Sequence, residues 1–372
     1  MSKKGLVVVY DPHNLYEFVW YYCNRGKDKE WDALCLPNAQ KGEYMHTYCE
    51  MAGIFKHVYC DDTGYDTASA GRKASLFLSM LCHFITGRRK AFCRKLLNRF
   101  ISLDEYDEIV VIAGVGIVSG ACIALGKEME VVILEDGIND YSEQPRMIPF
   151  TKLNSLYNWQ GCILAAMGYC NPGWYRLNTT KNCIKYSSQP EKMIYRNYRE
   201  IKQLYESEGT DQERFGSIVK QIYPALQKID FDSIQSVLFT RPMMDYVKND
   251  SKYRKKIESY INENFRSIII KRHPREEEEY HFADGMNCTE IDNSIPAEAL
   301  LPYLKDKSIV VVMTSGITLY MKAFGLKCTI LTFDGLFDES VSSGAKFAPM
   351  TDEEVIKYCE RFAEGCYEIE RI

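Results

Sequence analysis

Glu108-Ile109-Val110-Val111-Ile112-Ala113 and Val131-Val132-Ile133-Leu134 are two short, β-branched apolar runs, and residues 119–125 between them carry small and apolar side chains at helical spacing. A run that is apolar at every position, not at alternate ones, suits a parallel strand covered on both faces. Two such runs joined through a helix make a strand–helix–strand unit. The same alternation extends in both directions. Upstream, strands are expected at 6–10, 33–36 and 57–60, with helices at 16–23, 44–51 and 74–99. A helical middle follows at 153–167, 191–206 and 212–228. Alternation then restarts, with strands at 236–240, 267–271, 308–313 and 329–332 and helices at 253–264, 297–304, 318–324 and 352–363. The pattern predicts an α/β protein of two Rossmann-like domains, residues 1–230 and 231–372, facing a cleft.

Bulk composition narrows the function. The 372 residues are 46% hydrophobic and 26% charged, an ordinary globular balance with no low-complexity tract. Fourteen cysteines are scattered through apolar runs without a CxxC pair, which reads as buried thiols in a reducing compartment. The N-terminal residues lead directly into a short strand, too short for a signal peptide or a membrane span, so a cytoplasmic location is expected. A net charge of −5 excludes a global nucleic-acid footprint. Between Arg72 and Arg99, however, Lys and Arg occur without any acidic residue, interleaved with Leu76, Phe77, Met80, Leu81, Phe84 and Phe92. Such a segment is either an ordinary helix pair with a solvated basic face or a surface held at the inner face of a membrane.

Ligands of parallel sheets bind at the carboxyl ends of strands. Three post-strand segments carry chemistry there. Glu135-Asp136-Gly137 ends the 131–134 strand. A carboxylate at a strand tip suits a general base for a hydroxyl, whereas a solvated Asp-Gly turn is the bland reading. Lys271-Arg272-His273-Pro274 brings cations and an imidazole to the end of a second strand, able to meet a departing phosphate or merely to finish the strand. Thr314-Ser315-Gly316 places hydroxyls and free N–H groups before a helix, either a phosphate cradle or a plain N-cap. Gly114-Val115-Gly116 is the nearest approach to a dinucleotide fingerprint, and it lacks the acidic partner. Asp230-Phe231-Asp232 precedes a strand instead of following one, so a metal-held sugar nucleotide is not expected, nor any cofactor.

Order and spacing give these motifs a resemblance. Glu135-Asp136-Gly137, His273-Pro274 and Thr314-Ser315 match, in sequence, the [DE]-[DE]-G, HP and serine/threonine motifs of bacterial sialyltransferases, including lipooligosaccharide sialyltransferases and capsule polysialyltransferases. Pro12-His13-Asn14-Leu15 resembles that family's P-x-Q-L, Thr240-Arg241-Pro242 opens the second domain, and Ile295-Pro296-Ala297-Glu298 resembles its P-x-E. The matches run from residue 5 to about residue 335. The resemblance implies a GT-B fold, no metal, inversion at the anomeric carbon, a CMP-sialic acid donor and a glycan acceptor in surface polysaccharide or lipooligosaccharide synthesis. By position it makes Glu135 the base beside Asp136, and gives His273 to phosphate departure. Thr314, Ser315 and Gly316 fall to the phosphate and Glu298 to the nucleoside, with Asn14, Gly137, Thr240, Lys271 and Pro274 completing the substrate contacts. The chain departs from the pattern at Asn14, where glutamine is usual, and at Arg241, where a neutral residue is commoner. A transferase of another CMP-activated ulosonic acid such as Kdo, or a GT-B sugar-nucleotide epimerase, would share much of this pattern.

Overall fold

The computed structural model describes residues 3–36, 42–60, 70–112, 116–135, 141, 178–194, 196–205, 212–248, 250–343 and 350–372. They divide into two units, Met1–Ile222 and Tyr223–Ile372.

The first unit is built on seven parallel strands: β1 (Lys3–Val9), β2 (Lys29–Cys35), β3 (Phe55–Cys60), β4 (Glu108–Ile112), β5 (Glu130–Leu134), β6 (Ile184–Ser187) and β7 (Glu200–Gln203). Their order is β3-β2-β1-β4-β5-β6-β7, so the sheet grows one way from β1 and then reverses at β4. Among the described residues its helices are α1 (Pro12–Tyr21), α2 (Gly42–Ala52), α3 (Ala70–Ile85), α4 (Arg89–Leu97), α5 (Gly116–Ala124) and α6 (Gln212–Ile222). Leu6 to Val9 and all five residues of β4 are buried, as expected of central strands covered on both faces.

Gly5 shows how tightly one face is filled. A Cβ built there would lie 2.4 Å from the Trp31 ring, which is itself buried and pinned by its indole N–H to the Gly26 carbonyl at 2.8 Å. Gly5→Ala is therefore expected to destabilise the protein by about 1–3 kcal/mol, the usual range for overpacking. A thermal or denaturant melt checks this, and an unchanged midpoint would contradict it.

The second unit repeats the plan with β8 (Ser236–Phe239), β9 (Ser267–Lys271), β10 (Asn287–Glu290), β11 (Ser308–Val312), β12 (Cys328–Thr332) and β13 (Tyr367–Arg371), all parallel. The order β10-β9-β8-β11-β12-β13 is that of the doubly wound nucleotide-binding sheet, reversing between β8 and β11. Its helices are α7 (Ser251–Asn264), α8 (Met321–Phe324), α9 (Leu336–Ser343) and α10 (Asp352–Phe362). A reciprocal Thr351–Glu354 capping box starts α10.

Several expected helices take other forms. Residues 191–206 are not one helix: they contain β7, which pairs Glu200 to Gln203 with Ile184 to Ser187. The 74–99 stretch is split into α3 and α4 at Gly87, whose φ of 69° breaks the right-handed run. The helix expected over 212–228 stops at Ile222, because Pro224 starts a separate 3-10 turn. The helix expected at 297–304 is a 3-10 helix, Ala297–Tyr303, containing Pro302. The expected helix at 153–167 lies outside the described residues.

In the basic segment, Met80 and Phe92 face the core while Leu78, Phe84 and Ile85 stay exposed. Arg94 is paired with Glu128 and Asp104, and Lys90 with Glu128. Among the described residues no helix is long and apolar enough to cross a membrane.

Candidate active site

In the first unit, the β1–α1 turn is closed by its own side chains. Asp11 caps α1 by accepting the Asn14 N–H at 2.9 Å, and Asn14 Oδ1 accepts the Tyr10 N–H at 3.1 Å. Asn14 is buried and ties the strand to the helix.

Glu135 stands at the tip of β5, fully buried. Its Oε2 accepts the Tyr141 hydroxyl at 2.6 Å, the Ser188 N–H at 2.8 Å and the Ser187 hydroxyl at 3.3 Å. The Tyr141 hydroxyl also meets Ser187, Ser188 and the Gln189 N–H. Burial, with the neighbouring Glu135 charge, pushes the Tyr141 hydroxyl well above the ordinary phenol range, so it stays protonated and donates. The buried Lys185 donates to the Leu134 carbonyl at 2.9 Å and steadies the same tip. Asp136 and Gly137 lie outside the described residues.

In the second unit, residues after β8, β9 and β11 converge on the point where the strand order reverses. The Thr240 N–H donates to the Lys271 carbonyl at 3.2 Å, and the His273 N–H donates to Thr240 Oγ1 at 3.2 Å. Pro274 begins a tight turn closed by the Glu276 N–H on the His273 carbonyl at 2.8 Å. His273 Nδ1 accepts the Arg275 N–H at 3.2 Å, which assigns the neutral ring's proton to Nε2. Burial, then Arg275 and Arg241, push the His273 pKa down to about 4; Lys271 adds to the push and Asp245 opposes it. At neutral pH the imidazole is uncharged.

Across the reversal point, Met313 ends β11 with a φ of 58°, a left-handed conformation rare outside glycine. Thr314 follows, buried. Ser315 caps the next helical turn, its hydroxyl accepting the Ile317 N–H, and its carbonyl is held by the Thr318 and Tyr358 hydroxyls. A Cβ added at Gly316 would meet nothing within 4 Å, so its backbone is open to approach. Lys271 is buried and directed at the Arg272 carbonyl and Asn293. Glu298, half-buried, lies in the first turn of the 3-10 helix after β10. The described second-unit residues of the sequence reading therefore fall after β8, β9, β10 and β11, apart from Lys271, the last residue of β9.

Two further residues lie at this edge. Arg241, one position beyond Thr240, donates from Nη1 to both the carbonyl and the hydroxyl of Thr314, the latter at 2.9 Å. Glu276, the first of four consecutive glutamates, is buried, bonded to the Thr240 hydroxyl and accepts the Tyr280 hydroxyl at 2.8 Å. Burial raises its pKa. A charge at a motif's departure point was the available signal for Arg241. Nothing in four consecutive glutamates marks the first as buried.

Residues 93–331, well over half of the chain, match the family model described as alpha-2,8-polysialyltransferase. The chain belongs to the alpha-2,8-polysialyltransferase family. Membership makes it a glycosyltransferase, of the sialyltransferase kind. A search of curated protein sequences found no match. Among solved structures the chain is similar to a UDP-GlcNAc 2-epimerase from Methanocaldococcus jannaschii, at 13% identity over 97% of this chain and 92% of that one, with a TM-score of 0.45. It is also similar to Arabidopsis thaliana UGT89C1 complexed with UDP, at 10% identity over 99% and 86%, TM-score 0.45. Acinetobacter baumannii MurG matches at 8% identity over 99% and 85%, TM-score 0.40. The two parallel α/β units agree with the GT-B class expected of the family.

Proposed function

We propose that the protein transfers sialic acid from CMP-sialic acid to a glycan hydroxyl, with inversion and without a metal. In line with its family's name, we take that hydroxyl to be on a terminal sialic acid, joined through an α-2,8 linkage. The observation that carries the donor half is the convergence of His273, Thr314, Ser315 and Gly316 where the second sheet reverses its strand order. That edge offers neutral hydrogen-bond donors and open backbone, which suits a leaving phosphate.

In this reading the acceptor oxygen attacks the anomeric carbon and gives its proton to Glu135 of the 135–136 carboxylate pair. The bond from that carbon to the phosphate oxygen breaks, its electron pair stays with the phosphate, and CMP leaves. Neutral His273 donates a hydrogen bond from Nε2 to the departing oxygen. Thr314, Ser315 and Gly316 hold the phosphate, with Lys271 adding positive potential. Glu298 meets the nucleoside, and Asn14, Gly137, Thr240 and Pro274 shape the surroundings. One observation favours a second assignment of the base. Oε2 of Glu135 already accepts three hydrogen bonds in a fully buried setting, which suits a residue that orients the turn and leaves the proton to Asp136.

The reading places the protein in the cytoplasm. Exposed Leu78, Phe84 and Ile85, beside Arg88 and Lys95, would hold it against an anionic membrane surface.

Incubation with CMP-sialic acid, CMP-Kdo and UDP-N-acetylglucosamine, followed by nucleotide release, tests the donor. CMP is expected from CMP-sialic acid and should appear undiminished in EDTA. Release from UDP-N-acetylglucosamine alone would sink the proposal, and loss in EDTA with rescue by magnesium would sink its metal-free part.

A further inference from the structure

We infer that Arg241 is the cation that receives the donor's phosphate, bridging the two strand tips at the reversal point of the second sheet. The inference rests on the CMP-sugar reading above and names the residue that meets the charge.

A phosphate leaving without a metal needs a fixed positive charge within hydrogen-bonding reach. The basic side chains around this edge differ in how far their charge is already used. Arg272 is paired with Glu290, Arg275 with Asp245 at 2.9 Å and Arg254 with Asp250 at 2.9 Å. Lys271 is buried and turned to the Arg272 carbonyl and Asn293. His273 stays neutral, partly because Arg241 and Arg275 oppose its protonation.

Arg241 differs from all of these. It is half-buried, and among the described residues no carboxylate lies within ion-pair distance of it. Its guanidinium is held in place by the Thr314 carbonyl and hydroxyl and lies 5.4 Å from the Tyr246 ring centroid, a cation–π contact that orients the plane. Among the described residues only Nη1 is engaged by protein acceptors, which leaves the N–H groups of Nε and Nη2 for a ligand. The group is thus placed by one strand tip, anchored on the next and left with charge and donors unspent. A planar guanidinium suits a phosphate better than a lysine's point charge does.

The test measures binding of CMP and of cytidine, which differ only by the phosphate, to the resting protein by titration calorimetry. Wild-type protein is expected to prefer CMP. Arg241→Met should lower CMP affinity about 10- to 100-fold, as for loss of a charged hydrogen-bond partner, while cytidine affinity holds. Arg241→Lys, which keeps the charge and disturbs the turn less, should recover part of the preference and serves if the methionine variant misfolds. A preference for CMP undiminished in both variants overturns the role of Arg241 alone. Wild-type protein that binds CMP no better than cytidine overturns this inference together with the donor reading.

Discussion

His273→Ala is expected to lower turnover by about two to three orders of magnitude while CMP binding stays near wild type. The imidazole sits at the tip of β9, its Nδ1 fixed by the Arg275 N–H, so the remaining donor is Nε2–H. A donor aimed where charge develops is worth most in the transition state and little in the ground state. The same environment gives a pH signature. Because the His273 pKa is pushed down to about 4, the neutral ring predominates above that value and is lost only as pH falls through it. The groups facing it are Arg275, Arg241, Lys271 and Asp245, and the three cations outweigh the one carboxylate. The rate profile should therefore show no histidine step near 6.5. Steady-state kinetics from pH 5 to 8 check both points: near-normal turnover in the alanine variant removes His273 from the mechanism, and a limb at 6.5 that vanishes in that variant shows that the ring's pKa is not lowered.

Glu135→Gln should reduce transfer by about two to four orders of magnitude, the span associated with losing a general base. Glutamine retains the size and can accept the Tyr141 and Ser188 hydrogen bonds through its amide oxygen, so the β5 tip and CMP binding should persist. Asp136→Asn is the companion variant. Transfer to the acceptor and slow hydrolysis of the donor, measured side by side, separate the two carboxylates. Collapse of transfer in Asp136→Asn with Glu135→Gln nearly normal would move the base to Asp136 and leave Glu135 as the residue that orients the turn. Normal transfer in both variants would remove the pair from catalysis.

What could be read from the chain follows from how each element earns its place. Central strands such as β1, β4, β9 and β11 are buried on both faces, so their composition announces them before any fold is known. Strands β7, β10 and β13 are short, mostly polar stretches, Glu-Ile-Lys-Gln, Asn-Cys-Thr-Glu and Tyr-Glu-Ile-Glu-Arg. Each exists because a neighbouring backbone offers a ladder, information that no local pattern holds. The site divides the same way. His273, Thr314 and Ser315 follow recognisable strands, so strand position is enough to nominate them. Arg241 and Glu276 depend on which way a side chain turns once three strand tips are brought side by side. Asn14 shows the converse: the side-chain oxygen of a polar residue just past a strand goes to its own turn.

Met313 ties the conformation of this strand tip to the packing beneath it. A left-handed non-glycine residue costs about 1–2 kcal/mol, and here that cost is met by burial of the side chain beside Leu331, Phe333 and Leu336 and by its N–H bond to the Leu331 carbonyl at 2.9 Å. Backbone preference alone would not present Thr314 to Arg241; the oily packing beneath it does. If the proposed donor site is right, damage to that packing should emerge as weaker CMP binding before it emerges as unfolding. What sets the polar edge of this tip is hydrophobic.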